Sequence, residues 1–110
     1  SEEPRYREMH PGMTVEATLW LVEQGVKIIG TDGVGFDKPF RVMVEEHKKH
    51  VKNALWPAHF AGREREYCHI EKLANLEKIL RPYGFKVACF PIKIAKASAG
   101  WVRVAAIIEE

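Results

Sequence analysis

"VKIIGTDGVGFDKPF" (residues 26–40) decides how this chain is read. Its first half is a short β-branched run closed by Gly30 and Gly33, the pattern of a buried strand feeding a loop. Its second half turns helical. Asp37 and Pro39 form a helix start, and Phe40, Val44, His47 and Val51 line one face of a helix running to about Leu55. A strand and a helix in such close succession set a mixed α/β class, which the flanking segments extend.

Upstream, residues 1–13 are polar and punctuated by Pro and Gly, and they read as an extended lead-in ending at "PGMT". Thr14 is then a helix cap, Glu16 suits the positive first turn, and Val15, Leu19 and Val22 recur at helical spacing until Gly25 stops the helix. Downstream, "LWPAHF" is short and apolar with Pro57 inside it, which predicts a strand end or an irregular approach. Ile70, Leu73, Leu76, Ile79 and Leu80 predict a third helix, ended by Pro82 and Gly84. "FKVACFPIKI" and "WVRVAAII" predict two adjacent strands, with Pro91 at a bulge or an edge.

Composition bounds what such a chain does. With 110 residues, 46% of them hydrophobic and 29% charged, it reads as one soluble globular domain with a modest core. The 17 basic and 15 acidic residues are spread along the length and leave a net charge of +2, so nucleic-acid binding has no electrostatic footprint. No apolar run is long enough to span a bilayer, and the first residues lack the apolar segment of a signal peptide; a cytoplasmic location is the expectation. Cys68 and Cys89 lack CxxC spacing and fit reduced thiols.

The chemistry concentrates in "AHFAGREREYCHIE" (residues 58–71). His59 and Glu71 stand twelve residues apart and offer imidazole and carboxylate, the ligand types of catalytic Zn²⁺ or Mn²⁺. The alternative is a solvated loop, with Glu71 merely favouring a helix N-terminus. His69 is open to three readings: a third ligand, a group orienting Glu71 or substrate, or a surface histidine. His47 and His50 do not form HExxH, and "GTDGVGFD" matches neither GxGxxG nor a calcium loop. Asp37 needs no role beyond a helix cap, and Asp32, at the end of the expected buried strand, is the better pocket residue.

Three stretches in order, "PGMTVEATLWLVEQGVKIIGTDGVGFDKPF", "AHFAGREREYCHIEKLANLEKI" and "GFKVACFPIKIAKASAGWVRVAAI", resemble the C-terminal half of the metal-dependent cyclase and kynurenine formamidase-like hydrolases, nearest the isatin hydrolase-like branch. The resemblance implies an α/β fold, a mixed-sheet domain of the swivelling β/α type, of which this chain would be the C-terminal half. It implies His59, and Glu71 within "EKLANL", as ligands of one or two divalent ions, Zn²⁺ or Mn²⁺. The implied reaction is hydrolysis of a small amide, formamide, cyclic amide or lactone.

Members of that family also carry an HxGTHxDxPxH-type motif, which supplies further ligands and an acid/base histidine. This chain has no such motif. The expectation is therefore a part of a site that is inactive alone, with a companion N-terminal polypeptide or a homo-oligomer as partner. A proteolytic or engineered piece, one chain of a split enzyme, and a non-enzymatic oligomerisation or binding module all stay open.

Overall fold

The computed structural model describes residues 4–109, which belong to two compact units, Ser1–Lys72 and Leu73–Glu110. In the first, α1 (Pro4–Met9) is followed by α2 (Val15–Glu23), β1 (Ile28–Gly30), α3 (Phe40–Lys48), α4 (Pro57–Ala61) and β2 (Cys68–Ile70). The second holds a single turn of 3₁₀ helix (Leu76–Lys78), then β3 (Lys86–Pro91) and β4 (Val102–Ile107).

The helix expected after "PGMT" forms as its sequence dictates. Thr14 Oγ1 accepts a hydrogen bond from the Ala17 N–H at 3.1 Å, and Gly25 takes φ +91° just past the last turn, a conformation that favours glycine. The lead-in is not extended throughout: residues from Pro4 to Met9 close into a helix, with Arg5 Nε 3.5 Å from Met9 Sδ one turn on.

β1 pairs in parallel with β2, Ile28 opposite Cys68 and Gly30 opposite Ile70. The connection passes through α3 and α4, as parallel pairing requires a crossover. β1 is not the buried strand expected from its β-branched run, for Ile28 and Gly30 are exposed. α3 is shorter than its apolar spacing suggests. It stops at Lys48, with His50 and Asn53 at positive φ, and its buried residue is Met43, whereas Phe40, His47 and Val51 are exposed.

Two further expectations are overturned. "LWPAHF" turns helical from Pro57 onward, because Pro57 sits at the first helical position, where a missing N–H costs nothing and the fixed φ is already correct. The helix expected over residues 70–80 is replaced by the end of β2 and the 3₁₀ turn. Lys72 and Asn75 both adopt left-handed φ, near +60°, which a continuous right-handed helix excludes.

The core of the first unit consists of Phe36, Met43, Ala54, Ala58 and Ala61, with Thr18, Asp37 and His10 also buried. α2 packs on α4, and the buried residues on those helices are small: Thr18 on one, Ala58 and Ala61 on the other. In the second unit β3 and β4 are adjacent as expected and pair antiparallel, from Lys86 opposite Ile107 to Pro91 opposite Val102. Pro91 lies at the strand's end in a two-stranded sheet, where both strands are edges.

Candidate functional site

The register of β1 and β2 places the site. Thr31 N–H donates to Ile70 O and Lys72 N–H to Gly33 O, so the chain stays extended from Cys68 through Glu71 beside the loop after β1. On extended backbone alternate residues face one way, so His69 and Glu71 share a side, the side on which Phe36 lies. His69 stacks on the Phe36 ring with centroids 4.4 Å apart and planes at 16°. The Phe36 N–H donates to Glu71 Oε1 at 2.9 Å.

α4 brings the third member. Its entry residue Trp56 is left-handed, and Pro57, having no N–H, leaves Ala58 and His59 as the first free donors of the helix. Both are satisfied by Asp37, only 2% exposed: Oδ1 accepts from Ala58 N–H at 2.7 Å and Oδ2 from His59 N–H at 3.3 Å. The same Oδ2 lies 2.5 Å from His59 Nδ1. The His59 ring is turned with Nε2 3.9 Å from Glu71 Oε1, and the His69 ring packs edge-on at 4.4 Å, its own Nε2 3.6 Å from that oxygen.

One ligand atom each from His59, His69 and Glu71 therefore fits within 4.8 Å of the others, a set of two imidazoles and a carboxylate. That donor chemistry suits Zn²⁺ or Mn²⁺, and three protein groups are the number a catalytic zinc uses. His69 is biased toward the neutral form a ligand needs: burial, then the neighbouring His59, hold its imidazole below the usual value, against the pull of Glu71 and Asp37. Tyr67 braces the wall. Its hydroxyl donates to Ala58 O at 2.7 Å, and burial, with Asp37 adding to it, pushes its pKa up to about 12, so the proton stays. Lys72 Nζ lies 3.6 Å from Glu71 Oε2 at the exposed margin.

The sequence-based assignments fare unevenly. His59 and Glu71 are brought together, and His69 joins them instead of lying apart on the surface. Asp32 is exposed on the loop after β1, outside the cluster of His59, His69 and Glu71; the carboxylate that contacts His59 is Asp37. Asp37 does not cap α3, which has no side-chain cap, but serves α4, twenty-one residues on. Local spacing contains no signal for that contact. The alternation His69, Ile70, Glu71 is the signal that places two donors on one side of a strand, and the helical spacing of the residues after it obscures it.

Residues 1–38 match the family model described as putative cyclase. No curated protein and no solved structure gives a significant match. The matched segment ends just beyond Asp37, and His59, His69 and Glu71 lie outside it. Phe36 and Asp37 join the matched segment to the cluster: Asp37 contacts His59, the Phe36 N–H donates to Glu71, and the Phe36 ring stacks on His69. No helix among the described residues is long and apolar enough to cross a membrane.

Proposed function

We propose that this chain belongs to the cyclase family and contributes a divalent-metal site, His59, His69 and Glu71, to hydrolysis of a small amide, formamide, cyclic amide or lactone. The observation that carries the reading is the convergence of three ligand atoms within 4.8 Å from α4 and the β2 segment, with the neighbouring residues Asp37 and Phe36 holding His59 and Glu71 respectively. The match over residues 1–38 supports the family, and the sequence resemblance supports the isatin hydrolase-like branch. Zn²⁺ or Mn²⁺ held there would supply Lewis-acid activation of water and of a carbonyl.

The chain's own residues do the rest of what the site offers. Asp37 and the Phe36 N–H fix His59 and Glu71 before any ion arrives. Phe36 excludes water from one face of His69 and keeps that imidazole aligned. The acid/base histidine would come from outside these 110 residues, from a segment bearing the HxGTHxDxPxH-type motif.

The test is a pair of measurements on the metal-stripped chain. Adding Zn²⁺ or Mn²⁺ gives saturable binding of one ion, and a panel of N-formyl, cyclic amide and lactone substrates shows no turnover until a segment bearing that motif is supplied. Absence of saturable binding sinks the metal site. Turnover by the isolated chain sinks the division of labour.

A second reading, an oligomerisation module without turnover, is favoured by a different observation. The second unit exposes large apolar side chains, among them Leu80, Tyr83, Phe90 and Trp101 at 73–94%. Surfaces of that kind associate. Concentration-dependent sedimentation combined with no metal binding would select it.

A further inference from the structure

Asp37 makes three contacts through one buried carboxylate, and a helix cap needs only two of them. Oδ1 and Oδ2 satisfy the Ala58 and His59 N–H groups that Pro57 leaves at the head of α4. The third contact, Oδ2 to His59 Nδ1 at 2.5 Å, adds nothing to capping. An ionised carboxylate can only accept, so a hydrogen bond there requires the imidazole hydrogen on Nδ1. The other nitrogen, Nε2, then carries the free lone pair, and Nε2 is the atom facing Glu71 Oε1.

We propose that Asp37 is the positioning residue of this site, holding the His59 hydrogen on Nδ1 so that the Nε2 lone pair is presented to the space shared with His69 and Glu71. The consequence for metal affinity rests on the metal reading above; the consequence for the tautomer does not. Carboxylate partners behind a ligating histidine fix its tautomer and ring angle and raise its basicity, and their loss commonly lowers metal affinity about 10–100-fold. Here the same carboxylate also fixes the backbone of the residue that bears the ring, so orientation at His59 is set twice.

The discriminating variant is Asp37→Asn. Asparagine caps helices as well as aspartate, so α4 keeps an acceptor for the Ala58 N–H at 2.7 Å and gives up only the longer 3.3 Å contact of the His59 N–H. With the amide oxygen on the Ala58 N–H, the NH₂ group takes the place of Oδ2, faces His59 Nδ1 and donates to it, which forces the hydrogen onto Nε2. A merely structural Asp37 would leave the tautomer alone.

The experiment is ¹⁵N NMR of the histidine side chains in the metal-free chain, above the pH range where imidazoles titrate, followed by Zn²⁺ titration. The expected result is an Nδ1–H tautomer at His59 in the unaltered chain, inversion to Nε2–H in Asp37→Asn, and a fall of about 10–100-fold in Zn²⁺ affinity with little change in the unfolding midpoint. An Nε2–H tautomer in the unaltered chain overturns the proposal, as does an Asp37→Asn variant with unchanged tautomer and affinity. Should Asp37→Asn not fold, the tautomer of the unaltered chain decides alone. An Nδ1–H tautomer with no Zn²⁺ binding upholds Asp37 as the positioning group and removes the metal reading.

Discussion

Phe36 and Phe90 are the same residue type in opposite circumstances. Phe36, 1% exposed, sits in the first unit among the rings of His59, Tyr67 and His69; Phe90, 73% exposed, stands on β3 in the second. The first unit places apolar groups around a polar cluster and supplies partners within it: a carboxylate for two backbone N–H groups, a ring face for an imidazole, a carbonyl for a phenol. The second unit forms backbone pairing in register but leaves its large side chains exposed. The difference teaches where specificity is built. Residues 36–37, 58–59 and 67–71 are held by mutual constraint, while a two-stranded pair gains little from its own side chains and is marginal in water.

The sharpest way to break this comparison is to truncate the two phenylalanines in turn. Phe36→Ala is expected to cost about 3–5 kcal/mol, the usual range for a buried aromatic, whereas Phe90→Ala should stay within about 0.5 kcal/mol. Urea unfolding followed by tryptophan fluorescence reads both; equal effects would mean that the two units are not differently organised.

Next in size is Gly12→Ala. A Cβ at Gly12 would lie 2.2 Å from both Asp37 C and Lys38 N, backbone atoms that cannot rotate away. Overpacking of this kind costs about 1–3 kcal/mol and here also displaces Asp37, so a lower unfolding midpoint should come with a changed His59 side-chain NMR signal. A stable variant with an unaltered His59 signal would separate the "PGMT" loop from the site. A smaller loss, about 1 kcal/mol, is expected for Thr14→Ala, which removes the acceptor of the Ala17 N–H.

The smallest effect is one of pH. The folded state holds His69 below its usual value while the unfolded chain does not, so on acidification the unfolded state binds the proton first. The sign follows: this contribution is present above the unfolded value of about 6.5 and is lost as pH falls through the folded one. Unfolding midpoints measured near neutrality and near pH 5 should differ less in His69→Gln than in the unaltered chain; equal slopes would place the pH dependence elsewhere.

What the sequence made legible follows the range of the interactions. Thr14, Glu16 and Gly25 act within one or two turns, and α2 stands between Thr14 and Gly25 as read. The β3–β4 pair is legible from two β-rich runs close in sequence. Pro57 misled because a proline in an apolar run signals a broken strand as readily as the first residue of a helix. The apolar spacing of residues 70–80 misled because the left-handed turns at Lys72 and Asn75 leave no trace in periodicity. Asp37 was the largest omission at the site. Its partners lie more than twenty residues away, and nothing in its neighbourhood distinguishes a cap for α3 from a cap for α4.

The most direct test of the central claim is native mass spectrometry of the metal-stripped chain with Zn²⁺ or Mn²⁺ added, compared with His59→Ala and Glu71→Gln. One ion per chain is expected in the unaltered protein, and none in either variant. An unaltered chain that stays metal-free, or variants that keep the ion, would contradict that claim.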